Sequence, residues 1–245
     1  MGVRTGFLLL FLSLGGACSL SRPTTLPPPA PTTPPPVYVA VGASETTGAG
    51  SDQPLRDAWP RVLHRSALPQ GSVFVNMGIP GSTVAQALAE EMNPAIQAKP
   101  DLVTVWLNVN DMTRGVSPAD FERQLDTLIR ALRRDGDTRV LVANTPALER
   151  LPAYQTGRNL GLLPPAEVVD QLVDAYNAAT ARVVQRQGAL LVDLHALSLA
   201  ARAAGTDATL VSGDGFHPST AGHAAVAGAF AEVLRRSGPL PVASS

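Results

Sequence analysis

Five short apolar runs mark the chain between residues 37 and 194: VYVAV (37–41), GSVFVNM (71–77), DLVTVWL (101–107), TRVLVAN (138–144) and GALLVDL (188–194). A strand with one wet face alternates polar and apolar positions; these runs are nearly continuous, which predicts strands covered on both faces, as in a parallel sheet. The intervals read as helices. In SPADFERQLDTLIRALRRDG, Ser117 suits the N-cap and Pro118 the first turn; Phe121, Leu125, Leu128 and Ile129 form one stripe, and Gly136 stops the run. PAEVVDQLVDAYNAATARVVQRQG repeats the arrangement over more turns. STAGHAAVAGAFAEVLRRSG closes the domain with Val226, Phe230, Val233 and Leu234 facing inward. Alternating strands and helices predict one α/β domain over residues 37–237: a three-layer α/β/α sandwich with a mainly parallel five-stranded sheet and right-handed crossovers. Residues 238–245 form a tail. The segment 146–165 (PALERLPAYQTGRNLGLLPP) is the longest irregular connection, and a candidate wall of a binding cleft or a passive surface loop.

The chain ahead of residue 37 has a different character. Arg4, the apolar stretch GFLLLFLSL and the small residues GGAC predict an export signal over residues 1–17, with an apolar core too short for a comfortable membrane span. Cys18 is the single cysteine, which excludes an intramolecular disulfide. Its place after LGGA resembles a bacterial lipoprotein processing site, where the cysteine becomes the lipidated first residue, although Gly15 stands where leucine is typical. Residues 18–36, rich in Pro and Thr, read as a semi-rigid tether. The expected location is outside the cytoplasm, lipid-anchored at the cell membrane or secreted.

Charge narrows the partners. Nineteen basic against 20 acidic side chains leave a formal net charge of -1, with no electrostatic reason to expect nucleic acid or an anionic membrane. Membrane contact is expected only through the N-terminal anchor, and nothing requires more than a monomer. The pairs Arg133–Arg134 and Arg235–Arg236 read as solvated helix faces.

Four stretches carry candidate chemistry: GASETTGAG (42–50), NMGIPGST (76–83), LNVND (107–111) and DGFHPSTAGH (214–223). The first three follow predicted strands and the fourth precedes the last helix. In an open α/β sheet the carboxyl ends of the strands share one edge, where ligands bind, so this topology gathers the polar groups at one rim. The GxSxG elbow of α/β-hydrolases is absent around Ser44, and GAGSD lacks the lysine of a phosphate loop.

The order and spacing of these blocks resemble the GDSL esterase/lipase superfamily in its SGNH hydrolase form, over roughly residues 37–235. The resemblance implies a flavodoxin-like sandwich and hydrolysis of acyl esters, thioesters or carbohydrate-linked acetyl groups, without cofactor or metal. It makes Ser44 the nucleophile, Gly81 and Asn110 oxyanion-hole donors, and Asp214 and His217 the acid and base. The chemistry agrees: a serine hydroxyl needs a neighbouring imidazole to take its proton, and a carboxylate to orient that imidazole.

Two positions depart from the family pattern. Ala43 replaces the usual aspartate, which should loosen the support of neighbouring loops. Asn108 replaces a glycine, so its side chain is expected to narrow the cleft or touch substrate. Asp111 is expected to brace its loop. His223 is expected to point away from His217, which counts against a zinc site, and His64 to lie at the surface or boundary of the first helix. The reading is a serine esterase acting on a small-molecule or glycan ester. The alternatives are a carbohydrate O-acetyl esterase and a non-catalytic module that binds acylated glycan.

Overall fold

The computed structural model describes residues 1–2 and 34–240. The expected export signal, Cys18, most of the tether and the last five residues of the tail lie outside the described residues. The chain divides at Pro34, and every strand and helix below belongs to the unit that begins there.

Five parallel strands, β1 (Val37–Gly42), β2 (Val73–Asn76), β3 (Leu102–Trp106), β4 (Arg139–Ala143) and β5 (Leu190–Val192), pair in the order β2-β1-β3-β4-β5. The register aligns Val39 with Val75 on one side and Val103 on the other. The early helices are α1 (Ser44–Thr47), α2 (Pro54–Asp57), α3 (Trp59–Ala67), α4 (Val84–Glu90), α5 (Met92–Gln97) and α6 (Val109–Thr113). The later ones are α7 (Pro118–Arg133), α8 (Pro152–Asn159), α9 (Ala166–Gln187), α10 (Leu194–Ala203) and α11 (Thr220–Arg236). The flavodoxin-like order puts a topological switch point between β1 and β3, where the chain leaves first to one side and then to the other.

The period of two along each strand builds the layers. Val39, Val41, Val103, Val105, Val140 and Val142 share a core with Phe121, Leu125 and Leu128 of α7 and Tyr176 and Val183 of α9. Tyr38, Ala40, Leu102, Trp106 and Leu141 share the other with Trp59 and Leu63 of α3 and Phe230 of α11. There Trp59 stacks on Phe230 with ring centroids 4.3 Å apart. Fully burying one such side chain stabilises the fold by about 1.5–3 kcal/mol.

Coverage on both faces holds for β1, β3 and β4. Strand β2 is an edge strand of four residues, and its Val73 is exposed. The Ser117 hydroxyl caps α7 by accepting the Asp120 N–H at 3.1 Å. The stop differs from the expected one: Arg134, at φ 46°, closes α7, and a short 3-10 turn carries the chain to Gly136. Segment 146–165 is also less irregular than its composition suggests. It holds α8, with Pro152 in its first turn, where the missing N–H costs nothing. Buried Tyr154 donates its hydroxyl to the Pro164 carbonyl and folds the segment back on itself. Among the described residues no helix is long and apolar enough to cross a membrane.

Candidate active site

Ser44 opens α1 directly after β1, half-buried at the carboxyl edge of the sheet. Its Oγ lies 3.0 Å from Nε2 of His217, 173 residues later in the chain. The other ring nitrogen, Nδ1, lies 2.6 Å from Oδ2 of Asp214. One tight loop carries both partners. Oδ1 of Asp214 accepts the Ser212 hydroxyl and the backbone N–H groups of Phe216 and His217, at 2.7, 2.8 and 2.9 Å. Partial burial pushes the Asp214 carboxyl up, but the bond to His217 and these three donors outweigh it and hold the group below the usual carboxylate range. With Nδ1 facing an ionised carboxylate, the neutral ring carries its proton on Nδ1 and leaves Nε2 as acceptor toward Ser44.

The loops after β2 and β3 meet the same edge. Asn76 donates from Nδ2 to the Thr46 carbonyl at 2.7 Å, and Ile79 donates its N–H to the Gly42 carbonyl at 2.9 Å. Asn110 donates from Nδ2 to the Ser82 carbonyl at 3.1 Å, which leaves its second amide hydrogen free of that bond. Among the described residues, neither the Ser44 nor the Gly81 backbone N–H donates to a protein acceptor. Gly81 stands at φ 81°. A Cβ there would meet only the Arg114 guanidinium, at 3.3 Å, so the demand for glycine is conformational rather than spatial.

Two buried carboxylates brace these loops. The Glu91 Oε2 accepts the Gly42 N–H at 2.9 Å and its Oε1 accepts the Ser82 hydroxyl at 2.6 Å. Asp111 accepts the Val84 N–H with both oxygens at 3.2 Å, as its bracing role predicts. Burial raises Glu91 to about 7 and Asp111 to about 6. The sequence reading missed Glu91, which supplies a brace next to Ala43. Ala43 is buried in the core, while Glu91 bridges the residue before it to the loop of Gly81. Asn108 is more enclosed than a cleft-lining side chain would be. It is 3% exposed, its Nδ2 has no partner among the described residues, and it is absent from the lining of the cavity beside His217.

Both ring nitrogens of buried His223 are engaged, Nδ1 by the Trp59 N–H at 3.2 Å and Nε2 by the Ala49 carbonyl at 3.0 Å. They are therefore turned away from Asp214 and His217. His64, half-buried on α3, bonds the Ser72 carbonyl at 2.9 Å.

A cavity of about 340 Å³ adjoins His217. Segment 146–165 supplies one wall through Leu148, Leu151 and Pro152, and α10 and α11 supply others. Glu45, next to Ser44, also lines it. Burial pushes Glu45 above the ordinary carboxylate range, against the smaller opposing pull of its own backbone N–H and of His217.

The sequence profile of the GDSL-like lipase/acylhydrolase family matches residues 40–225. The chain belongs to this family. Two characterised relatives are similar to this GDSL-family chain. An arylesterase of Vibrio mimicus is 29% identical over 100 residues, 40% of this chain and half the length of that protein. The esterase TesA of Pseudomonas aeruginosa is 24% identical over 185 residues, 75% of this chain and 80% of the relative. Among solved structures, a lipase/acylhydrolase from Enterococcus faecalis superimposes with a TM-score of 0.64 at 22% identity, covering 86% of this chain and all of the other. A crystal structure of TesA gives 0.63 at 22% identity, covering 82% and 98%. At such identities the structures establish the shared fold. The family match and both relatives put this GDSL hydrolase in the class of carboxylic ester hydrolases.

Proposed function

We propose that the protein is a serine esterase that hydrolyses carboxylic esters through an acyl-enzyme on Ser44. The observation that carries the reading is the continuous chain from Ser44 Oγ to His217 at 3.0 Å and from His217 to Asp214 at 2.6 Å. The Ser44 oxygen attacks the carbonyl carbon while its proton passes to Nε2 of His217. The negative oxygen of the tetrahedral intermediate takes donors from Ser44 N–H, Gly81 N–H and the free amide hydrogen of Asn110. Collapse breaks the bond to the alcohol oxygen, and His217 returns the proton to it. Water then attacks the acyl carbon, giving its proton to His217. The bond to Ser44 breaks, the carboxylic acid leaves, and Ser44 regains its hydrogen.

Export with a lipid on Cys18 belongs to the same proposal, on the strength of the sequence around it. The mass of the mature N-terminus tests it: a diacylated Cys18 is expected, and an unmodified cut end would refute the anchor. For the reaction itself, a p-nitrophenyl acetate assay of the parent and Ser44→Ala is decisive. Hydrolysis is expected in the parent and lost by at least a thousandfold in the variant. Equal rates would remove Ser44 as nucleophile, and an inactive parent would favour the non-catalytic glycan-binding module.

A further inference from the structure

We propose that Glu45 is a specificity-determining residue whose carboxyl binds a second hydroxyl on the alcohol half of the ester, so that diol and polyol esters are preferred over simple alkyl esters; this rests on the esterase reading above. Glu45 follows the nucleophile directly and is only 8% exposed, yet it lines the cavity beside His217. Burying a carboxyl without compensating hydrogen bonds is costly. Glu91 and Asp111, the buried carboxyls that brace the site, meet that cost through bonds to neighbouring loops. Among the described residues Glu45 has no bond of that kind: burial is opposed by its own backbone N–H, by His217 and, least, by the Ser44 side chain. The carboxyl thus stands beside both catalytic groups with hydrogen-bonding capacity left over. Burial favours its uncharged form, which offers an O–H donor and acceptor oxygens, the complement of a hydroxyl.

The place of Glu45 selects the half of the ester. In the proposed mechanism His217 returns its proton to the alcohol oxygen, so the alcohol leaves on the His217 side. The cavity adjoins His217, whereas Ser44 and the oxyanion donors Gly81 and Asn110 do not line it. Its wall is mixed: Trp106 and Leu197 supply apolar surface, and Arg150, Gln155, Ser198 and Asp207 supply polar groups. A carbon skeleton that carries several hydroxyls matches such a wall better than a bare hydrocarbon does, because each buried polar group needs a partner. A diol ester sets its free hydroxyl two carbons from the ester oxygen, a short span that suits a carboxyl on the residue next to the nucleophile. Simple polyols and sugars share this chemistry, and the substrates below separate the two.

The test compares kcat/KM for 2-hydroxyethyl acetate and propyl acetate, which differ by a hydroxyl in place of a methyl group. An apolar subsite favours the methyl, whereas a site built to hydrogen-bond a hydroxyl rejects the analogue that lacks it. The expected result in the unaltered protein is a preference of at least tenfold for the 2-hydroxyethyl ester. Glu45→Leu should reverse the ratio in favour of propyl. Glu45→Gln, whose amide still donates and accepts, should retain most of the hydroxyl preference. Thermal unfolding checks that each variant is folded, and the ratio in the unaltered protein needs no variant. Glycerol monoacetate against a 6-O-acetylated methyl glucoside then tells small polyols from sugars, the faster ester naming the source. Equal values or a preference for propyl in the unaltered protein, or a hydroxyl preference that survives Glu45→Leu, would overturn the role of Glu45. Failure of the esterase reading shows separately, as p-nitrophenyl acetate hydrolysis that persists in Ser44→Ala.

Discussion

The Glu91 carboxylate receives the Ser82 hydroxyl at 2.6 Å while its second oxygen holds the Gly42 N–H at 2.9 Å. One buried side chain thus fixes the distance between the end of β1 and the loop of Gly81. Glu91→Ala leaves a buried N–H and a buried hydroxyl unpaired, and should cost about 2 kcal/mol in chemical denaturation. It should also lower kcat more than it raises KM. Glu91→Gln should recover most of both, because its amide oxygen accepts from Gly42 and its amide nitrogen donates to Ser82. A Glu91→Ala enzyme with unaltered kcat would remove the positioning role.

The same carboxyl makes stability depend on pH. Glu91, raised to about 7, and Asp111, raised to about 6, keep their protons in the folded chain at pH values where the unfolded chain has lost them. Unfolded carboxyls titrate near 4. The stability linked to these two groups is therefore complete below about pH 4 and lost as pH rises through 6 and 7. Asp214 acts in the opposite sense, since its lowered pKa gives stability that is lost as pH falls below about 4. Its half-exposed side chain makes that contribution small. Urea midpoints should be highest near pH 4–5 and decline toward pH 8, with the decline reduced in Glu91→Gln. A midpoint that climbs from pH 5 to 8 in the parent would contradict this.

Asp214→Asn keeps the shape of the loop but removes the anion that sets the His217 tautomer. Serine-triad precedent puts the loss in kcat at about 10³–10⁴-fold with little change in fold. Steady-state kinetics with circular dichroism checks it, and a loss below tenfold would relieve Asp214 of that role.

On the proposed mechanism, Asn110→Ala removes one oxyanion donor. The expected effect is a kcat lower by about 10²–10³-fold at nearly constant KM. A change confined to KM would instead mark Asn110 as a ground-state contact.

Gly50, at φ 89°, lies against His217. A Cβ there would fall 2.4 Å from the Pro218 carbonyl and 2.8 Å from the His217 Cβ. Gly50→Ala should displace the imidazole and reduce kcat at least tenfold while the protein stays folded. Unchanged turnover would show that the loop yields without moving His217.

The sheet was legible because buried parallel strands write themselves as unbroken apolar runs, and all five runs became strands. Ser44, Asp214 and His217 were legible because each sits in a short polar block at a strand end or before the last helix. Glu91 was not. In sequence it is one acid among AEEMN, and its bridging role exists only once residues 42 and 82 lie on either side of it. The burial of Asn108 was hidden for the related reason that spacing gives a position but not the direction of a side chain. The cavity beside His217 escaped notice because an open space is a property of the elements that surround it, which are distant in sequence. Helix α8 was hidden by the prolines and glycines at its flanks, which obscure a short periodic stretch.

The separation of 173 positions between Ser44 and its imidazole partner has a temporal consequence. Ser44 is synthesised early, yet its pairing with the imidazole requires the last sixth of the chain to be present and docked. On the proposed mechanism, the onset of turnover would therefore serve as a clock for completed folding.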